Sequence, residues 1–174
     1  MLKTLTPRGL TAVVVLLVLV TGTFVWAGRA LAQESPSIQH GAVHHASGTF
    51  EVSMAPGDPE AVEAGLGLSR YILTKTFTGG LTGHGVGQML AGGPEGSETV
   101  GSYVAIERFV GTLDGHKGAF LLAHRGDMAG EDYSLSITVV PGSGTGALAG
   151  IAGDFKLTVE NGVHHYDLAY TLPQ

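Results

Sequence analysis

The 174-residue chain contains no cysteine. That excludes a disulfide scaffold, a thiolate nucleophile, Cys-ligated zinc, iron–sulfur clusters and lipid attachment at an N-terminal cysteine. Charge is also scarce: 14% of residues are charged, and only 9 of them are basic. Lys3, Arg8 and Arg29 fall in the first 32 positions, which hold no acid, so residues 33–174 carry six basic against 15 acidic residues, a net charge of −9. No Lys/Arg cluster remains to displace counterions from a phosphate backbone, and nucleic acid is excluded as a partner. Downstream of the N-terminus no window sustains a 3.6-residue apolar period over three turns, which excludes a helical bundle. The one helical candidate, Asp58 to Ala64, has an N-cap Asp58, Pro59 at the first helical position and Gly65 to end it, two turns at most.

What is present first is an export signal. Lys3 and Arg8 precede an uncharged stretch from Leu10 to Gly28, and Ala30-Leu31-Ala32 supplies a small-x-small peptidase site. Residues 1–32 read as a signal peptide cleaved after Ala32; the rival is an uncleaved membrane anchor, because the run is about long enough to span a bilayer. Either reading makes the remainder extracytoplasmic, secreted or periplasmic. Residues 33–45 read as a flexible polar lead and residues 46–174 as the domain.

That domain is expected to be all-β. Eight runs rich in Thr, Val, Leu, Phe and Tyr alternate with Gly-containing turns: 48–54, 68–78, 81–90, 99–110, 117–125, 133–140, 147–159 and 163–172. An even number of antiparallel strands joined by tight turns suits a small closed eight-stranded barrel, which abolishes sheet edges, and the 28 glycines permit the bends closure requires. A two-sheet sandwich is the alternative. A weak repeat, Phe77-x-Gly79-x-Leu81-x-Gly83-His84 and Phe109-x-Gly111-x-Leu113-x-Gly115-His116, is echoed by Gly146-x-Leu148-x-Gly150. It sets two turns in competition, Gly79-Gly80 and Thr82-Gly83.

Two hairpins can be registered from their turns. Asn161-Gly162 as a type I′ turn places Val159 opposite His164, Leu157 opposite Tyr166, Phe155 opposite Leu168 and Gly153 opposite Tyr170. The face with Phe155, Leu157, Val159, His164, Tyr166, Leu168 and Tyr170 then points inward, while Lys156 and Asp167 pair outside. Asp114-Gly115 likewise places Phe109 opposite Phe120, Glu107 opposite Leu122 and Ala105 opposite His124. Both faces of that hairpin are partly apolar; the face bearing Tyr103, Ala105, Glu107, Phe109, Phe120, Leu122 and His124 is taken as inward.

That choice puts two ionisable groups, Glu107 and His124, diagonally adjacent inside an apolar barrel. A carboxylate beside an imidazole in low dielectric is an acid/base pair suited to catalysis near neutral pH, so these are the candidate catalytic residues. Tyr103, Phe109, Phe120, His164, Tyr166 and Tyr170 are the candidate ligand-binding residues. The competing reading is that Glu107 and His124 only satisfy each other. Eight histidines invite a metal, but neither His40, His44 and His45 nor the oppositely facing His164 and His165 converge as three ligands, and no metal is expected. No cofactor is expected either: Pro141-Gly142-Ser143-Gly144-Thr145-Gly146 lacks the Lys-Ser/Thr ending of a phosphate loop and no helix follows it. No Gly-x-Ser-x-Gly elbow is present.

The blocks His45-Ala46-Ser47-Gly48-Thr49-Phe50-Glu51-Val52, Lys75-Thr76-Phe77-Thr78-Gly79, Tyr103 to Arg108, Gly111-Thr112-Leu113-Asp114-Gly115 and Val139 to Gly146 closely resemble the bacterial family called domain of unknown function 3224. The resemblance runs from about His45 to Pro173. It implies a barrel similar to allene oxide cyclase, a fold in which confinement of a hydrophobic substrate drives ring closure. It implies no catalytic residue, and the signal peptide departs from the cytoplasmic relatives. The functions to be weighed are an exported barrel binding a small apolar molecule, an isomerase or cyclase using Glu107 and His124, and a homo-oligomer burying an outer strip of Val104, Ile106, Val110, Ala119 and Leu121.

Overall fold

The computed structural model describes residues 41–57, 67–94, 97 and 99–173. The expected signal peptide, the Asp58 to Ala64 helix and most of the lead lie outside them. The described residues form strands β1 (His44–Pro56), β2 (Leu68–Gly79), β3 (Leu81–Gly92), β4 (Val100–Leu113), β5 (His116–Ala129), β6 (Asp132–Val139), β7 (Thr145–Gly146), β8 (Ala152–Glu160) and β9 (Val163–Thr171). Apart from the two-residue β7, which pairs with β5, each strand lies antiparallel beside its sequence neighbours, and β9 returns to β1. The result is the closed eight-stranded barrel, not the sandwich. β1 begins at His44, so the last two residues of the supposed lead already belong to the ladder, His44 opposite Tyr170 and His45 opposite Ala169.

Both turn-derived registers hold. Asp114 and Asn161 have φ of 45° and 51° and are followed by Gly115 and Gly162 at 84° and 79°, the left-handed pair a type I′ turn needs. The pairings Phe109 with Phe120 and Leu157 with Tyr166 follow from them. At the β2–β3 turn Phe77 faces Gly83, which centres the turn on Gly80 and settles the competition in favour of Gly79-Gly80. The repeat still marks equivalent core positions: Leu81, Leu113 and Leu148 are all fully buried, and Leu81 faces Leu113 across β3 and β4. Leu148 differs in its setting. Residues 147–151, expected as the start of a strand, form turns after β7, and Leu148 and Ile151 seal one end of the barrel.

Alternation fills the barrel with side chains. Phe77 is the hub, with ring centroids 5.3 Å from Phe50, 5.6 Å from Phe109, 5.8 Å from Tyr166 and 6.3 Å from Phe155. Phe109 stands 5.1 Å from Phe120. Burying six aromatic rings, at roughly 25 cal/mol per Å² of apolar surface, contributes substantially to the stability of this fold. Val159, expected inside, is 57% exposed because β8 ends at the rim.

Candidate functional site

On β4 the alternation directs Ala105, Glu107 and Phe109 inward, and on β5 Phe120, Leu122 and His124. The aromatic face is thus the inner one, and Arg108 and Arg125 are exposed. Glu107 is completely buried, and its Oε2 lies 3.1 Å from Nε2 of His124. That distance is an ion-pair approach, although the geometry at Nε2 falls short of an aligned hydrogen bond. The better bond comes from a residue the sequence reading passed over: Lys75 Nζ donates to the same Oε2 at 2.7 Å. Lys75 lies on β2 in phase with Leu73 and Phe77, all three buried. Its ammonium also sits 4.7 Å from the Phe50 ring centroid and 5.9 Å from that of Phe77.

Burial alone would push the Glu107 carboxyl up. The His124 ring, together with the charge and hydrogen bond of Lys75, outweighs it and holds the group below the ordinary carboxylate range. Glu107 therefore stays an anion, with Oε1 buried and unpartnered. Space for this carboxylate comes from the facing strand, where Gly85 and Gly87 occupy successive inward positions; a Cβ on Gly85 would collide with Oε1. His124 is likewise buried, with about 5% of its side chain exposed.

At the end of the barrel opposite Leu148 and Ile151, a cleft of about 790 Å³ opens between the strand ends. Met54, Tyr71, Met89, Tyr103 and Met128 line it. Tyr103 projects across β5 because its partner position is Gly126, where a Cβ would strike the ring. Its hydroxyl meets that of Tyr133 at 3.1 Å. Burial, and then the Tyr133 hydroxyl, push the Tyr103 phenol well above its usual value, so it remains protonated.

The other expected ligand contacts are placed differently. Phe109 and Phe120 are 0% and 1% exposed and belong to the ring stack. Tyr166 accepts a 2.7 Å hydrogen bond from Leu81 N through its hydroxyl. His164 stacks on Phe50 at 5.0 Å. None of these four lines the rim cleft. Tyr170 donates to Asp114 Oδ2 at 2.9 Å and borders a separate 660 Å³ cleft near the sealed end, beside His44 and His116. Of the anticipated ligand contacts, only Tyr103 reaches the open mouth. Among the described residues no three His, Asp or Glu side chains are arranged to hold a metal. On the outer face Val104, Ile106 and Val110 are exposed as anticipated, but Ala119 is buried beside β7.

No curated protein matches the chain. A solved structure does: a protein of unknown function of the DUF3224 family from Shewanella oneidensis MR-1 is 36% identical, with a TM-score of 0.67, over 76% of this chain and 99% of the other. The family described as protein of unknown function (DUF3224) matches residues 46–170, the barrel from β1 into β9. This chain belongs to that family.

Proposed function

We propose that the protein is an exported barrel that binds a small, largely apolar molecule at its open mouth. The observation that carries this reading is the rim cleft of about 790 Å³, whose lining includes Met54, Met89, Met128, Tyr71 and Tyr103. That volume lies within the range of ligand sites, and apolar walls with a few polar groups are their usual chemistry. The buried aromatic cluster that fills the interior supports the mouth, rather than the centre of the barrel, as the ligand position. Methionine suits this role because its unbranched, polarisable side chain repacks around varied shapes.

The test is native mass spectrometry after incubation with extracts of neutral apolar metabolites. A saturable one-to-one adduct, weakened by Met89→Lys and by Tyr103→Ala in folded protein, is the expected result. Absence of any retained compound, or adducts indifferent to both substitutions, overturns the reading.

A second reading, an isomerase or cyclase, is favoured by the contact between Glu107 and His124 within an apolar setting. It requires His124 to carry protons between Glu107 and a molecule at the mouth. A bound compound with an acidic C–H would then exchange deuterium from D2O in the wild-type protein and not in Glu107→Gln. Equal exchange in both would remove Glu107 from the chemistry.

A further inference from the structure

The barrel is not joined equally all round. β5 and β6 pair continuously from Leu122 opposite Val139 to Ala129 opposite Asp132, and β1 and β9 from His44 opposite Tyr170 to Phe50 opposite His164. β6 and β8 are joined through the single pair Thr138 and Asp154, although β6 reaches back to Asp132 and β8 runs on to Glu160. Among the described residues no other strand pairs with these two stretches on that side.

Continuing the register from Thr138 and Asp154 would set Leu135 opposite Leu157, Tyr133 opposite Val159 and, at the rim, Asp132 opposite Glu160. The first two matches are apolar. The last brings two carboxylates face to face, which destabilises an antiparallel pair, and Glu131 adds a third exposed acid beside them. Repulsion at the rim thus opposes closure of the seam, and apolar side chains along it stay uncovered: Tyr133 is 56% and Val159 57% exposed, while Leu135 and Leu157 are only partly buried.

The backbone of both edges turns toward this seam. Val140 N donates to Leu121 O, so the even-numbered residues of β6 bond to β5, and alternation points the N–H and C=O of Tyr133 and Leu135 toward β8. Around the Asn161-Gly162 turn, Glu160 and Val163 are the bonded pair, which likewise points Leu157 and Val159 toward β6. Two such edges are a template for a further strand. A second copy of this chain is a poor occupant, since residues 33–174 carry a net charge of −9 and its acids would meet Glu131, Asp132 and Glu160.

We infer that the seam between β6 and β8 takes an extended segment of another protein as an added strand, one that alternates apolar with polar residues and sets a lysine or arginine between Asp132 and Glu160. Its apolar side chains cover Tyr133, Leu135, Leu157 and Val159, and its cation replaces the repulsion of the two carboxylates with attraction. A ligand at the mouth is not required.

The test is amide hydrogen exchange of the full chain in mild detergent, read residue by residue by NMR. The probe is acetyl-Lys-Val-Thr-Val-Thr-Val-Lys-amide, basic at both ends so that either strand direction serves. In the free protein the amides of Tyr133, Leu135, Leu157 and Val159 should exchange at least tenfold faster than those of Phe109 and Phe120, and saturating peptide should slow all four at least tenfold. The same peptide with glutamate at both ends should bind at least tenfold more weakly, and Asp132→Asn/Glu160→Gln should remove most of that preference without lowering the thermal midpoint. Slow exchange at the four amides in the free protein, or exchange unchanged by either peptide, overturns strand addition. Equal protection by the two peptides, or a preference for lysine that survives the double substitution, overturns the basic partner.

Discussion

Gly85 and Glu107 occupy one space. The carboxylate Oε1 fills the volume where a side chain on β3 would otherwise begin, and a Cβ on Gly85 would collide with it. An alanine normally strengthens a strand relative to glycine, but here it must displace an anion held on its other side by Lys75 and His124. Gly85→Ala is therefore expected to destabilise the barrel by about 1–3 kcal/mol, the usual range for overpacking. Urea denaturation measures it, with Gly85→Ala/Glu107→Ala as the control. If removing Glu107 does not relieve part of the Gly85→Ala cost, the two residues are not competing for this volume.

Lys75 and Glu107 are a buried ion pair, their side chains 7% and 0% exposed. Removing one partner strands the other charge, and Lys75→Met is expected to cost about 3–5 kcal/mol. Lys75→Met/Glu107→Gln leaves no unpaired charge and should cost clearly less than the two single changes added together. Strict additivity in the double-mutant cycle would contradict the pairing.

The depressed Glu107 carboxyl has a definite sign in pH. Its folded form binds protons less readily than the unfolded chain, so its contribution is present above the ordinary carboxylate range and is lost as pH falls through the lower folded value. Urea midpoints followed from pH 7 downward should decline more steeply in the wild-type protein than in Glu107→Gln. Parallel curves would mean that the anion is not specifically stabilised.

Tyr170 acts at the other extreme. Burial first, and then the hydrogen bond to Asp114 and its charge, push the phenol up to about 12. The unfolded chain releases this proton near pH 10, so stability should fall between about pH 10 and 12 as the folded state retains it. Tyr170→Phe should remove that part of the alkaline decline, read as the difference in thermal midpoint between pH 9 and 11.

Much of the fold was legible because two short turns carry unambiguous chemistry. Asp114-Gly115 and Asn161-Gly162 fix left-handed backbone pairs, and one registered pair determines every other across a hairpin. Glu107 and His124 were legible for the same reason. Lys75 was not, although the alternation Leu73, Lys75, Phe77 on β2 carried the signal: a lysine reads as solvent-facing until a buried carboxylate is found within its reach. The aromatic lining misled in the opposite way. Inward alternation says that Phe109, Phe120 and Tyr166 face the interior, but whether that interior is hollow depends on how six rings pack in three dimensions, and they fill it. Leu148 escaped because Gly146 and Gly150, at φ of 63° and 75°, turn the chain inward where the composition suggested a continuous strand.

The most direct test of a ligand site at the rim is NMR of the full chain labelled with 13C at the methionine methyl groups. Met54, Met89 and Met128 report on the cleft from three strands. Adding a neutral, apolar aromatic probe, 6-propionyl-2-dimethylaminonaphthalene, should shift all three resonances along one saturable isotherm, with the ring-current displacements expected of an aromatic beside thioethers. Three unmoved methionine signals in the presence of excess probe would contradict a ligand site at the rim.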